Sequence, residues 1–140
     1  MVKVKISVDT SKVHMDKMPQ FKEELLEQTS QKGKQILQNK TPRDTGAAAS
    51  SYRVVKSKNQ HTIKNDKKYL GWVNDGTGVY GPRHTRITPV NSRFLHFTWK
   101  GREWFLKSVR GQKGQRFVER SMPEIVESIP EAAAIASRRL

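Results

Sequence analysis

The chain has 140 residues, and its 27 Lys and Arg against 13 Asp and Glu give a formal net charge of +14. That length fits one domain, 1–140, large enough to fold without metal or disulfide staples, and the absence of Cys excludes disulfide frameworks, thiolate zinc sites and thiol nucleophiles. The apolar fraction of 34% is lean for a globular chain, which predicts a thin core, or a protomer that completes its core in an assembly. No apolar run approaches the roughly 18 residues of a membrane span. The opening MVKVKISV alternates Val with Lys and has no signal-like apolar core. The expectation is a soluble protein used without export and without a membrane partner.

The charge is uneven. Residues 1–52 carry a net +3, residues 53–116 a net +12 and residues 117–140 a net −1. Clustered Lys and Arg suit a polyanion, whose counterions they release. They equally suit an acidic protein surface or a solvated face.

In chain order, Val2, Val4, Ile6 and Val8 alternate with Lys3, Lys5 and Ser7, which predicts a half-buried terminal strand over 1–9 with one cationic face. From 16 to 40 the period becomes helical, with Met18, Phe21, Leu25, Thr29, Gly33 and Ile36 or Leu37 on one stripe. Pro19 suits the first turn. Glu23, Glu24 and Glu27 precede Lys32, Lys34 and Lys40, an order that the helix dipole favours. The small residues Thr29 and Gly33 predict close approach of another backbone. Thr41-Pro42-Arg43-Asp44-Thr45-Gly46 ends the helix. An antiparallel sheet is then expected over 47–109, beginning with strands Ala47–Lys56 and Gln60–Asn65, followed by an apolar cluster of Tyr69, Leu70, Trp72 and Val73.

Residues 75–92 hold three Gly and two Pro without a sustained period. A loop of this length inside a compact domain is usually functional. Its Val79, Tyr80 and Ile87 predict that it orders against something, such as a neighbouring subunit. Arg93–Trp99 and Arg102–Val109 flank Lys100-Gly101, a two-residue hairpin turn. That register sets Leu95 opposite Leu106 and Phe97 opposite Trp104, and with Trp99 they form one apolar face, expected to be core. Phe94 and Phe105 on the other face are expected to pack beneath helices. Gly111-Gln112-Lys113-Gly114 breaks the chain before a helical region over 115–139. There Ser121-Met122-Pro123-Glu124 and Ser128-Ile129-Pro130-Glu131 repeat one capping pattern, giving either a kinked helix or successive short ones. The fold expected is α+β: an antiparallel sheet of about four to five strands carrying a long N-terminal helix and a C-terminal helical region, with one long loop between central strands.

The chemistry expected is none. His14, His61, His84 and His96 lack metal-ligand spacing. Gly76-Thr77-Gly78 lacks the phosphate-loop ending, and His84 between Arg83 and Arg86 reads as a binding patch more readily than as a nuclease site. No catalytic residue, metal or cofactor is assigned. A sheet showing Phe94 and Phe105 beside Lys107 also permits base stacking by a basic nucleic-acid-binding protein.

Thr41-Pro42-Arg43-Asp44-Thr45-Gly46, between a helix and an expected strand, resembles the T-P-x-D-T-G signature of a family of tailed-bacteriophage tail-completion, neck or head-to-tail joining proteins. Tyr69 to Thr77 resembles the family's aromatic stretch, with Asn74-Asp75-Gly76-Thr77 where Glu-x-Gly-Thr is usual. Arg86-Ile87-Thr88-Pro89, the hairpin, and the glycine-rich run before Phe117 follow in the family's order, with Arg116-Phe117 in place of Pro-Phe. The resemblance covers about residues 18–125. It implies an α+β virion subunit that forms a homo-oligomeric ring between connector or stopper and tail-tube or tail-terminator proteins, around double-stranded DNA, without catalysis. Val79, Tyr80, Arg83, Arg86, Ile87, Arg110 and Lys113 are then candidate contacts to neighbouring subunits, or to DNA in the channel.

Overall fold

The computed structural model describes residues 2–8, 19–42 and 46–139. The chain is mixed α+β and forms two compact units, one from residues 1–68 with 117–140, the other from residues 69–116. In chain order the elements are β1 (Val2–Ser7), α1 (Pro19–Lys40), α2 (Ala47–Ser50), β2 (Arg53–Lys56), β3 (Gln60–Asn65), α3 (Lys68–Asp75), β4 (Leu95–Trp99), β5 (Arg102–Leu106), α4 (Phe117–Glu127) and α5 (Ile129–Arg138).

The strands divide between two sheets where one was expected. In the first unit β3 lies between β1 and β2, antiparallel to both, with Ile63 opposite Val4 on one side and Val54 on the other. The alternation in β1 works as read: Val2 and Val4 are buried, Lys3 and Lys5 exposed. Ala47–Ser50, expected to open a strand, is instead one turn of helix. Alanine is the best helix former and has no branched side chain to favour a pleated surface. Gly46 enters that turn at φ +84°, a left-handed geometry that glycine adopts without strain.

Helix α1 is the hub of this unit, packing against all three strands, α2, α4 and α5. Its buried stripe is Leu26, Thr29, Ser30, Gly33, Ile36 and Leu37, so Leu26 takes the inward position assigned to Leu25; Met18 lies outside the described residues. The C-terminal helices pack on α1, where the sheet was expected to receive them. Gly33 explains how both sides reach this helix. A Cβ there would stand 2.9 Å from Ile63 Cδ1 of β3 and 3.7 Å from two carbons of Ile125 on α4. The close approach read from the small residues is thus made by isoleucine side chains from opposite sides. The C-terminal region is two helices: Ser128 separates them, its hydroxyl donating to the Ile125 carbonyl at 2.6 Å.

Polar groups in this core are matched. The Thr41 hydroxyl lies 2.6 Å from both the Leu37 carbonyl and the Tyr52 hydroxyl, tying the end of α1 to the chain entering β2. Burial pushes the Tyr52 phenol above its usual range, against the opposing pull of the Thr41 hydrogen bond. Asn65 donates to the Ala48 carbonyl at 2.7 Å and fixes α2 over β3.

His61, opposite Ile6 and Lys56, is buried with Nδ1 3.1 Å from Ser30 Oγ. Burial holds its imidazole below the usual 6.5; the Glu27 carboxylate pulls the other way, and Lys56, which bridges Glu27 at 2.6 Å, adds to the depression. A proton therefore binds the unfolded chain more readily than the folded one. The stabilising contribution is complete above pH 6.5 and is lost as the pH falls through the depressed folded value. Urea unfolding at pH 7.5 and 5.5 should show this unit weakening in acid, and His61→Gln should reduce the dependence; an unchanged dependence in the variant would refute the assignment.

Candidate interaction surface

The second unit is built on backbone contact. Two glycine-bearing runs, 74–81 and 110–114, lie against each other. Thr77 N–H donates to the Gln112 carbonyl at 2.9 Å, Val79 N–H to the Arg110 carbonyl at 2.8 Å, and Gln112 N–H to Thr77 Oγ1 at 2.9 Å. Gly76 forms an antiparallel bridge with Lys113. Gln115 N–H donates to Val73 and Arg116 N–H to Asn74, with Arg116 also 3.6 Å from the Asp75 carboxylate. Side chains at the crossing would prevent it. A Cβ on Gly78 (φ +62°) would collide with the Arg110 carbonyl, and one on Gly111 (φ +93°) with the Thr77 carbonyl. The two glycine motifs recognised separately in sequence therefore form one clasp.

The clasp changes the reading of the long loop. Residues 75–92 order against their own chain, where a neighbouring subunit had been suggested. Ile87 and Val109 exchange both backbone hydrogen bonds, at 2.9 and 3.0 Å, and Arg86 Nε donates to Ser108 Oγ at 2.9 Å. The loop also contains a 3-10 turn at Gly78–Tyr80, whose ring lies 5.9 Å from the Arg110 guanidinium carbon. His84 is exposed with Nδ1 3.3 Å from the Val79 carbonyl, a local turn contact. An open groove of about 590 Å³ runs along the loop, lined by residues that include Trp72, Thr77, Arg83, Arg86, Ile87 and Val90.

From this base projects the β4–β5 hairpin. Its pairing is the one read from the turn, Leu95 with Leu106 and Phe97 with Trp104. Lys100 and Gly101, at φ +54° and +73°, supply the two positive angles of a type I′ turn. The aromatic faces are not core, however. Phe94, Phe97, Trp99, Phe105 and Leu106 are all exposed, Phe105 at 60%, while Leu95 and Trp104 are half-buried. The faces pack only on themselves. His96 stacks on Phe105 with centroids 4.4 Å apart and planes 5° from parallel, and His96 Nε2 is 3.6 Å from Glu103. Lys100 Nζ lies 4.4 Å from the Trp99 ring and the Arg102 guanidinium carbon 4.9 Å from that of Trp104. An isolated two-stranded hairpin is marginal alone, and open aromatic patches of this kind mark binding surfaces.

The sequence-assigned residues thus separate. Val79, Tyr80, Arg83, Arg86, Ile87, Arg110 and Lys113 come together in the second unit around the clasp and groove, with Arg83, Arg86, Arg110 and Lys113 exposed. Gly76 and Thr77 are part of the clasp. Thr41, Pro42 and Gly46 belong to the first unit, where Thr41 is a buried structural link, and Phe117 is fully buried there. Asp44 and Thr45 lie outside the described residues. Sequence reading left Trp72 and Val90 out of the interaction set; they are 61% and 92% exposed. Their signal was being bulky and apolar beside glycine and proline, where no helical or strand period gives them a core face. Among the described residues, no three His, Asp or Glu side chains converge as a metal site requires. No helix there is long and apolar enough to cross a membrane. The chain matches no protein-family model, no curated protein and no solved structure.

The clasp has a direct test. All three tryptophans, Trp72, Trp99 and Trp104, lie within 69–116, so tryptophan fluorescence reports this unit. Gly101→Ala, at φ +73° with nothing within 4 Å, should cost only the roughly 1–2 kcal/mol of a left-handed residue. Gly111→Ala adds a backbone collision and should cost about 3 kcal/mol or more. Equal losses in denaturant unfolding would contradict the clasp.

Proposed function

We propose that the protein is a structural virion subunit that forms a ring at the head–tail junction of a tailed bacteriophage. There it joins connector or stopper to tail-tube or tail-terminator proteins around the DNA channel, and acts by binding, without catalysis. It would be found in the virion, and in host cytoplasm during assembly. The observation that carries this reading is the hairpin: two short strands, apolar on both faces and open on both, presented beside a groove. A surface of that composition gains free energy when another molecule covers it. The order of the Thr-Pro, Gly-Thr, hairpin and glycine-run motifs supports the phage assignment, and placement as a tail terminator or other minor tail component is the nearest variant of it.

One observation favours a second reading. Residues 69–116 carry nine basic against two acidic side chains, and Lys100 and Arg102 lie over exposed or half-exposed indoles, the pairing of cation and aromatic that binds single-stranded nucleic acid. The two separate by experiment. Electron microscopy of concentrated protein, and of purified virions probed with antibody, should show annular particles and labelling at the neck. A chain that forms no particles, labels no virion and binds short DNA with an affinity that falls steeply with salt is a nucleic-acid-binding protein instead.

A further inference from the structure

The hairpin is one of two open apolar surfaces. The C-terminal helices face α1 with Phe117, Ser121, Ile125, Ser128, Ala132 and Ala136, all buried. Beside that inner face runs a second stripe, Met122, Val126 and Ile129, spaced four and three residues apart and exposed at 40%, 57% and 40%. That is the spacing of residues that dock a partner along one helical face. Its surroundings are acidic: residues 119–131 contain Glu119, Glu124, Glu127 and Glu131 against the single Arg120.

The hairpin has the opposite character. Residues 93–107 contain Arg93, Lys100, Arg102 and Lys107 against the single Glu103, so the two surfaces carry local net charges of +3 and −3. Each is apolar at its centre and charged around it, the arrangement of a protein interface with a polar rim. Nucleic acid suits the hairpin alone, because the acidic helix stripe repels phosphate. A second copy of this chain suits both.

We infer that the β4–β5 hairpin of one copy docks on the exposed α4–α5 stripe of the next, aromatic on aliphatic and basic on acidic. This contact deepens the assembly reading and rests on it. It is heterologous: every copy offers a hairpin to one neighbour and a helix pair to another, so copies add head to tail until the rotation closes a ring. A self-complementary hairpin-to-hairpin contact would stop at a dimer, and would bring like charges together.

The contact is tested by charge reversal on exposed positions, with circular dichroism confirming that the variants fold. Arg102→Glu with Lys107→Glu makes a chain with an acidic hairpin and acidic helices. Glu127→Lys with Glu131→Lys makes one with a basic hairpin and basic helices. Each double variant alone should self-associate at least about tenfold more weakly than the parent chain by analytical ultracentrifugation. Mixed in equal amounts they should assemble again, to within about threefold of the parent, with the two variants alternating in native mass spectra. A second readout uses the absence of native Cys: Phe105→Cys and Val126→Cys chains, mixed with a flexible bis-maleimide, should give a hetero-crosslinked pair that neither yields alone. Parent-like assembly of both reversed chains, or crosslinking of Phe105→Cys to itself, overturns this contact and leaves the assembly reading standing. A parent chain that stays monomeric while short DNA quenches its tryptophans overturns both.

Discussion

The second unit depends on one contact, the crossing of residues 74–81 over 110–114 with no side chain between them. Backbone carbonyls occupy the space where Cβ atoms of Gly78 and Gly111 would stand, so the hydrogen bonds of Thr77 and Val79 can reach Gln112 and Arg110. The crossing closes the stretch between the two runs into a loop, and the entropic cost of closing it grows only slowly with its length. The Ile87–Val109 pairing then ties that loop a second time, and the hairpin extends beyond it. Aromatic strands with no core of their own are held out by a base that needs little core. The lean apolar composition is a consequence: much of what apolar content there is lies on the surface of this unit.

The first unit reaches a similar economy by other means. Gly33 lets α1 receive Ile63 from the sheet and Ile125 from α4 at almost the same height, so one helix serves two layers. Short polar links, Thr41 with Tyr52 and Asn65 with Ala48, do work that a larger core would leave to side-chain burial. Part of the basic surplus is used here locally, since Lys56 bridges Glu27 and Arg53 bridges Asp66. The rest concentrates on the hairpin, the loop and the second glycine run, beside exposed aromatics.

What was legible in the sequence was local. The hairpin register followed from Lys100-Gly101 because a two-residue turn fixes every pair beyond it, and the alternation in β1 followed from period two. What was not legible was non-local. Gly76-Thr77-Gly78 and Gly111-Gln112-Lys113-Gly114 are ordinary turn sequences apart; their partnership spans 35 residues between Thr77 and Gln112, and a lack of side chains carries no period. The covering of a face is equally hidden. Leu95, Phe97, Trp99, Phe105 and Leu106 would read the same whether helices of this chain or another molecule covered them, and burial in the chain itself was the wrong choice. Ala47–Ser50 failed for a simpler reason, a helix former placed in a strand by its neighbours. The exposed stripe at Met122, Val126 and Ile129 was readable in its spacing but had been counted within one set of apolar helical faces.

The central claim is that the aromatic hairpin is a surface made to be covered. Amide hydrogen exchange on the dilute chain and on its assembled form tests it most directly. Covering predicts strong additional protection of residues 95–106 on assembly, with the clasp segments 74–81 and 110–114 already protected in the dilute chain. Assembled particles in which 95–106 exchange as fast as in the free chain would contradict it.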